Sequence, residues 1–171
     1  MNQLKTKIVS LSEAQSIVKK WKEVGEQVVF TNGCFDILHR GHVEYLTLSA
    51  DEGSKLVIGL NSDASVRRQG KSPERPINDE ISRGIVLAAL AVVDLVVIFD
   101  ENTPLDLIVA LQPNVLTKGA DYDPKETDVN SKKYIVGSDV ITKSGGKVIA
   151  IPLVQGFSTT NTIKKISGDQ S

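Results

Sequence analysis

The sequence predicts an α/β fold in three layers, with a doubly wound sheet of about five parallel strands between two layers of helices. Five short runs are almost continuously aliphatic, which is typical of strands covered on both faces; they lie at 27–31, 56–60, 95–99, 115–117 and 148–151. Segments with helical spacing or helix-cap residues separate these runs, so strand and helix alternate along the chain. In such sheets ligands bind beyond the carboxyl ends of the strands, where the strand order reverses.

An N-terminal helical extension is predicted before the first of these strands. Apolar residues recur at helical spacing between Leu11 and Val24. Ser10 and Glu13 form the pattern of a capping box at the start of this helix, and Gly25 is a typical residue just past a helix end. We therefore expect residues 1–25 to be a helical extension and residues 26–171 to be a single domain.

Further helices are expected at 43–50, at 81–90, from Thr103-Pro104 onwards, and at 159–166. Asn78 is the expected cap of the helix at 81–90, because Asp79 and Glu80 would then face its positive end. Thr103 is the expected cap of the following helix, with Pro104 at its first position.

The composition is that of an ordinary globular domain, with 40% hydrophobic and 24% charged residues. Lys and Arg (20) nearly balance Asp and Glu (21), so no global field favours a polyanion. The one cysteine cannot form an internal disulfide, and Met1 to Ser10 lack the apolar core of a signal peptide. No apolar run approaches membrane-spanning length. We expect a cytoplasmic protein whose partners include neither nucleic acid nor a membrane.

Residues 31–42, between a strand and a helix, are the most informative part of the sequence. Backbone N–H groups and the helix dipole form an anion site at such a junction. Both histidines of the chain, His39 and His42, lie here three residues apart, so they share one face of the first helical turn. Gly41 between them leaves room for an anion to approach the backbone. Two imidazoles aimed at one anion donate hydrogen bonds to phosphate oxygens and carry part of their charge.

Two other interpretations of this loop are weaker. A chance pair of surface or core histidines is disfavoured because the chain has no histidine elsewhere. A zinc site with Cys34 and Asp36 as further ligands has none of the usual ligand spacings, so no protein metal site is predicted. Cys34 itself is expected to be a small buried residue rather than a nucleophile.

A second candidate phosphate site lies near the end of the chain, at Ser158, Thr159 and Thr160. Their hydroxyls and backbone N–H groups, at a helix N-terminus, are suited to a triphosphate. A helix cap needs one such residue. Three in a row after a glycine therefore favour phosphate binding over capping alone.

Two motifs carry a resemblance to a known family. The stretch 31–42 resembles the strand, loop and HxGH signature of the cytidylyltransferase-like nucleotidylyltransferases, and Gly156-Phe157-Ser158-Thr159-Thr160 resembles their G-(I/F)-S-T-T element. The resemblance covers about residues 27–166. It implies a Rossmann-like fold and a nucleotidylyltransferase domain (26–171), an enzyme that moves a nucleoside monophosphate from a nucleoside triphosphate to a phosphorylated acceptor and releases pyrophosphate.

Within this family the sequence is most similar to the adenylyltransferase domain of ADP-heptose synthases. The similar segments are 61–68, 75–78, 87–90, 93–94, 103–104 and 118–122. This closer resemblance implies ATP and the sugar 1-phosphate D-glycero-D-manno-heptose 1-phosphate as substrates, ADP-heptose as product and a place in lipopolysaccharide biosynthesis. It also implies a homodimer, here as a free-standing form without the sugar kinase to which such domains are often fused.

Position after a strand and the resemblance together assign roles to individual residues. The expected catalytic residues are His39, His42, Arg83 and Lys118. The expected nucleotide-binding residues are Thr31, Asn32, Gly33, Cys34, Phe35, Gly41, Ser158, Thr159 and Thr160. The expected substrate-binding residues are Asp36, Asn61, Asp63, Arg68, Lys71, Asp121 and Tyr122.

A local basic cluster lies in the Gly- and Pro-broken segment after the second predicted strand; it comprises Arg67, Arg68, Lys71, Arg75 and Arg83. Most such clusters are solvated faces, but related enzymes use basic residues here to clamp phosphates. Arg68 and Lys71 are the expected pair of this loop. The heptose enzymes more often have Leu-Lys-Gly where this chain has Arg68-Gln69-Gly70-Lys71, so the position of the loop lysine stays open by a few residues.

The implied mechanism needs no protein nucleophile, because the acceptor phosphate is already charged at neutral pH and attacks the α-phosphorus in line. Catalysis then consists of positioning and of charge neutralisation by the two histidines, the basic loop and Mg²⁺. Mg²⁺ is the expected cofactor, held mainly by triphosphate oxygens and water.

Two alternative functions stay open. The first keeps the chemistry and changes the substrates, as in a glycerol-3-phosphate cytidylyltransferase or another small-molecule phosphate nucleotidylyltransferase. Against the glycerol phosphate enzyme, the arginine that precedes its G-I-S-T-T element is Leu153 here. The second is a nucleotide-binding regulator without turnover, which the intact His39, His42 and Ser158 to Thr160 disfavour.

Overall fold

The computed structural model describes residues 2–70 and 74–167, so the predicted loop lysine, Lys71, lies outside the described residues. Six parallel strands form one sheet in the order β1-β4-β3-β2-β5-β6. The strands are β1 (Ile8–Val9), β2 (Val28–Gly33), β3 (Lys55–Asn61), β4 (Leu95–Phe99), β5 (Val115–Gly119) and β6 (Lys147–Ile151). The predicted α/β class is therefore confirmed, with one strand more than the five predicted.

Eight helices are present in the described part of the chain: α1 (Asn2–Lys5), α2 (Leu11–Glu23), α3 (Arg40–Ala50), α4 (Asp63–Arg68), α5 (Glu80–Ala88), α6 (Leu105–Leu111), α7 (Ser138–Lys143) and α8 (Thr159–Ser167). The short helices α4 and α7 were not among the predicted ones. No helix in residues 2–70 and 74–167 combines the length and the apolar character needed to cross a lipid bilayer.

Two predicted helix caps are wrong by one residue. The cap of α5 is Asp79, whose carboxylate accepts a hydrogen bond from the backbone of Ser82 at 2.8 Å. Asn78 is used elsewhere, because its side-chain amide donates to the carbonyl oxygen of Asp36 at 2.7 Å. Pro104 rather than Thr103 precedes the first residue of α6, and it has no side-chain hydrogen bond to the helix.

The extra strand lies in the segment that was expected to be only helical. Ile8 and Val9 pair with Val96 and Val97 of β4 at the edge of the sheet. The backbone N–H of Val96 donates to the carbonyl oxygen of Lys7 at 2.8 Å. A strand of two residues has no periodic pattern, so the sequence gives no sign of it.

Helices cover both faces of the sheet, which gives the predicted three layers. On one face, buried side chains of α2, α6 and α7 pack against Phe30 and Val57. On the other face, buried side chains of α3 and α5 pack against Val29 and Ile58. Successive strand residues thus point into different cores, as the period of a strand requires.

The strand order reverses between β2 and β5. Strands β2, β3 and β4 follow one another across the sheet, whereas β5 returns to the other side of β2. The carboxyl ends of β2 and β5 are therefore neighbours, and the loops that leave them diverge to opposite sides. Such a reversal is where ligands bind in doubly wound sheets.

The predicted capping box at the start of α2 is present and can be tested by mutation. Ser10 Oγ accepts from the backbone of Glu13 at 3.3 Å, and the Glu13 carboxylate accepts from the backbone of Ser10 at 2.8 Å. We expect Ser10→Ala to lower the free energy of unfolding in urea by about 1 kcal/mol, because the backbone N–H of Glu13 loses its partner. Ser16→Ala, within the same helix, is the control and should change it by less than about 0.5 kcal/mol. Equal effects of the two substitutions would contradict a capping role.

Candidate active site

Two adjoining clefts open at the carboxyl ends of β2 and β5. The first, which we call the histidine cleft, has a volume of about 520 Å³. Its walls are Asn32, Gly33, Cys34, Phe35, His39, Gly41, His42, Tyr45, Arg75, Lys118, Gly119, Asp121, Tyr122, Leu153, Val154, Phe157, Ser158, Thr159 and Thr160. These walls bring together the two sequence motifs, which are more than a hundred residues apart in the chain.

The second, which we call the amide cleft, has a volume of about 390 Å³. It shares Asn32, Gly33, Cys34, Lys118 and Tyr122 with the histidine cleft. Its other walls are Asn61, Gln69, Asn102, Thr103, Pro104, Tyr134, Ile135 and Val136. Apart from the shared Lys118, the polar side chains of this cleft are amides, hydroxyls and a thiol.

The two histidines stack at the start of α3. His39 is the cap of the helix, and its Nδ1 accepts a hydrogen bond from the backbone N–H of His42 at 3.3 Å. The ring centroids are 3.8 Å apart, with an angle of 15° between the planes. The i, i+3 spacing thus places both imidazoles on one face, as predicted.

Both imidazoles are neutral at pH 7 in the free protein. The pKa of His42 is lowered from 6.5 to about 4, mainly by burial and in addition by repulsion from Arg75 and from His39 when that ring is protonated. Burial also lowers the pKa of His39. The expectation that the pair carries part of the charge of a bound phosphate concerns the liganded cleft and stays a prediction.

One nitrogen of each ring is buried without a partner. Within the described residues, His39 Nε2 and His42 Nδ1 make no hydrogen bond. A buried polar atom left unpaired costs about 1 to 3 kcal/mol, so such atoms call for an explanation. Because both rings line the cleft, a ligand with oxygen atoms would supply the missing partners.

Gly41 has a different use from the one expected. A Cβ at this position would lie 3.0 Å from Phe157 Cβ and 3.1 Å from His39 Nδ1. The space beside this backbone is thus filled by Phe157 and not left open for an anion. The close approach packs the loop before α8 against the start of α3, which brings Ser158, Thr159 and Thr160 into the histidine cleft.

Lys118 links the two strand ends that meet at the reversal of strand order. Its ammonium group donates to Asn32 Oδ1 at 2.7 Å and lies 5.4 Å from the centre of the Tyr122 ring. Because Lys118 lines both clefts, its charge lies at their boundary.

Arg83 and Asp63, expected to contact substrate, line neither cleft. The Arg83 side chain is fully buried; Nη1 donates to the carbonyl oxygen of Cys34 at 2.6 Å and Nη2 to Asp63 Oδ1 at 2.8 Å. Its Nε donates to the carbonyl oxygen of Asn78 at 3.0 Å. The guanidinium holds three segments together and has no donor group left that faces solvent.

Three other predicted residues are also bound away from the clefts. Thr31 is fully buried, and its hydroxyl pairs with the hydroxyl of Tyr45 at 2.6 Å. Arg68 is exposed and binds Asn102 Oδ1 at 3.0 Å as well as Asp100. The Asp36 carboxylate is fully buried and accepts from Arg75 Nε at 3.1 Å.

Apart from Lys71, which lies outside the described residues, the remaining predicted residues lie in the walls of the clefts, with Asn61 in the amide cleft. Several wall residues were not predicted as site residues: Tyr45, Arg75, Gly119, Leu153, Val154 and Phe157 in the histidine cleft, and Gln69, Thr103, Pro104, Asn102, Tyr134, Ile135 and Val136 in the amide cleft. The sequence did contain an indication that Arg75 could be a site residue, because Arg75 belongs to the basic cluster. Among the unpredicted walls of the amide cleft, only Thr103 and Pro104 had a sequence signal, because they belong to a segment similar to the heptose enzymes; the others come from separate loops without a shared motif.

No protein cage for a metal ion is present in residues 2–70 and 74–167, since no group of three or more His, Cys, Asp or Glu side chains could hold an ion. Asp121 lines the histidine cleft, whereas Asp36 is committed to Arg75. These residues fit an Mg²⁺ ion only if phosphate oxygens and water provide most of its ligands.

The comparison with known families identifies the class of this protein. Residues 30–165 match the model of the cytidylyltransferase-like family. The chain belongs to this family and is a nucleotidyltransferase.

Individual relatives agree with this class. The chain is 52% identical to the Bifunctional protein HldE of Paramagnetospirillum magneticum over 163 residues, which are 95% of this chain and 32% of that protein. The chain thus spans about a third of the length of the curated relatives it matches. It is also similar to the structure of a lipopolysaccharide core biosynthesis protein from Thermoplasma volcanium, with 32% identity, a TM-score of 0.57 and coverage of 76% of this chain and 98% of that one.

A more distant structure shows the fold alone. The pantoate-beta-alanine ligase of Francisella tularensis has 12% identity and a TM-score of 0.62, with 91% of this chain and 72% of that chain covered.

The lowered pKa of His42 predicts a pH dependence of stability. Unfolding restores its ordinary pKa of 6.5, so between pH 6.5 and about 4 the unfolded state binds a proton that the native state excludes. The native protein should lose about 2 to 3 kcal/mol of unfolding free energy over this range from His42. Urea denaturation of the wild type and of His42→Asn, from pH 7 to pH 4, measures the difference. Parallel pH profiles of the two proteins would show that His42 titrates normally.

Proposed function

We propose that this chain transfers AMP from ATP to D-glycero-D-manno-heptose 1-phosphate, giving ADP-heptose and pyrophosphate. The observation that carries the proposal is the stacked pair His39 and His42: both residues line one cleft with the N-terminus of α8, and each ring has one buried nitrogen without a partner. The sequence resemblance to ADP-heptose synthases and the 52% identity to a Bifunctional protein HldE support the choice of substrates.

The histidine cleft is suited to the nucleotide. The backbone N–H groups at the start of α8 and the hydroxyls of Ser158 and Thr160 would receive the triphosphate. Neutral imidazoles donate hydrogen bonds to phosphate oxygens without the cost of burying a second charge. Binding a polyanion favours the protonated form of His42, so its pKa should rise towards its ordinary value when the nucleotide binds.

The amide cleft is suited to the sugar. A heptose carries many hydroxyl groups, and a pocket that recognises them needs several uncharged donors and acceptors. Asn61, Gln69, Asn102 and Thr103 offer such groups. The sugar phosphate would then approach the shared wall of the two clefts, where Lys118 neutralises charge.

Transfer would proceed by direct attack of the acceptor phosphate oxygen on the α-phosphorus. The new O–P bond forms as the bond to the pyrophosphate leaving group breaks, so atoms balance without a protein nucleophile. The protein positions the two substrates and supplies hydrogen bonds where charge spreads in the transition state. A bound Mg²⁺ would neutralise triphosphate charge.

The resemblance also supports a homodimer, and the composition and N-terminal sequence favour a cytoplasmic location. Both belong to the proposal. Light scattering of the purified chain tests the first, and a molar mass of one chain at micromolar concentration would contradict it.

Substrate choice is tested by a grid of donors and acceptors. ATP and CTP are each offered with heptose 1-phosphate, mannose 1-phosphate or glycerol 3-phosphate, while pyrophosphate release and product mass are followed. We expect ATP with heptose 1-phosphate to give the highest kcat/KM, and His42→Asn to lower it about 10²- to 10³-fold by loss of one phosphate contact. A preference for CTP or for glycerol 3-phosphate would reject the heptose assignment and retain nucleotidyl transfer. If no pair of substrates releases pyrophosphate, the alternative function of a nucleotide-binding regulator without turnover would be favoured.

The division of labour between the clefts is tested by a matched pair of isosteric changes. Thr160→Val removes a hydroxyl from the histidine cleft, and Thr103→Val removes one from the amide cleft. Loss of one hydrogen bond of about 0.5 to 1.5 kcal/mol raises a dissociation constant about 2- to 12-fold. We expect Thr160→Val to weaken ATP binding and Thr103→Val to weaken sugar phosphate binding, as measured by calorimetry. The reverse pattern would exchange the two assignments.

A further inference from the structure

Arg75 differs from the other described arginines of the basic cluster because it lines the histidine cleft. Its side chain is only 10% exposed, although the residue precedes α5 in an irregular segment. By contrast, Arg68 is bound at an exposed site to Asp100 and Asn102, and each guanidinium nitrogen of Arg83 is bonded inside the protein. The described arginines that form one cluster in the sequence thus lie in different environments in the structure.

A buried carboxylate holds Arg75 from behind. Asp36 Oδ2 accepts from Arg75 Nε at 3.1 Å, and Asp36 Oδ1 accepts from the backbone N–H groups of Ile77 and Asn78 at 2.8 and 3.0 Å. The Asp36 side chain has no exposed surface. Because the carboxylate is anchored by two backbone donors, it holds the guanidinium at Nε from a fixed point.

The terminal nitrogens of Arg75 are left for another partner. Among the described residues, Arg75 makes its one hydrogen bond through Nε. Its charge also acts on His42, since it contributes to the lowered pKa of that imidazole. Two parallel N–H donors in a fixed plane match the geometry of phosphate oxygens. A phosphate placed here would contact the guanidinium and the histidines together.

We propose that Arg75 binds phosphate oxygens of the nucleotide beside His42, and that Asp36 is the positioning residue that holds its guanidinium in place. The identity of the nucleotide rests on the proposed function. Asp36 therefore acts on the substrate only through Arg75, and the loop that carries His39 also carries the group that orients this arginine. The fixed guanidinium loses less rotational freedom on binding than a solvent-exposed arginine would.

The first test uses Arg75→Lys, which keeps the charge and removes the paired donors. Calorimetry with ATP, and separately with inorganic pyrophosphate, should show dissociation constants raised about tenfold or more, because bonds from a charged donor are the strong ones. Arg67→Lys, on exposed α4, is the matched control and should bind both probes like the wild type. Equal affinities of Arg75→Lys and the wild type would overturn the proposal. A wild type that binds neither probe would instead reject the proposed function.

The second test asks whether Asp36 acts through Arg75. We expect Asp36→Asn to lower kcat/KM about tenfold, and the double variant with Arg75→Lys to be no worse than Arg75→Lys alone. Additive losses would mean that Asp36 has a separate structural role, and so would an Asp36→Asn variant that does not fold; either result overturns the positioning claim. The pKa of His42, followed by NMR, gives a readout independent of turnover. It should rise in Arg75→Gln and stay unchanged in Arg67→Gln, and an unchanged value in Arg75→Gln would place the guanidinium away from the histidines.

Discussion

The buried guanidinium of Arg83 joins the three segments from which the candidate site is built. It binds the carbonyl oxygen of Cys34 in the histidine loop, that of Asn78 before α5, and the carboxylate of Asp63 at the start of α4. A charge without solvent contact is tolerated only when it is paired and its donors are satisfied, and the loss of one partner leaves the other uncompensated. Arg83 thus helps to fix the segment that carries Arg75 against the loop that carries His39, and the bonds of Asp36 to Ile77 and Asn78 hold the same two segments together.

The electrostatics of the histidine cleft follow from burial more than from residue type. Two histidines in a phosphate motif suggest two positive charges, yet burial keeps both neutral at pH 7. The positive charge of the cleft comes instead from Arg75 and Lys118, which are both held by hydrogen bonds, to Asp36 and Asn32 respectively. Groups held in this way need little rearrangement when charge develops on a ligand, which is the condition for electrostatic catalysis.

Sequence patterns predicted the features that depend on neighbours in the chain. Continuous aliphatic runs predicted β2 to β6, and the Ser10–Glu13 capping box is present. Features set by distant partners were not predictable: β1 exists only because β4 offers an edge to Ile8 and Val9. Likewise, a row of basic residues does not show which of them meets a carboxylate. Asp36 and Asp63 lie in other segments, and they decide that Arg75 faces the cleft while Arg83 is buried.

The reversal of strand order suits the proposed in-line transfer. In-line transfer requires that the attacking and the leaving group approach one phosphorus atom from opposite sides. Because β5 lies beside β2 while the chain reaches it from β4, the loops around these strand ends form two clefts that share one wall. Reactants in the two clefts would meet at that wall, where Lys118 bridges the strands. In the proposed reaction, the sheet topology would supply the opposed approach of the two reactants, and the side chains would have only to hold the phosphates and neutralise them.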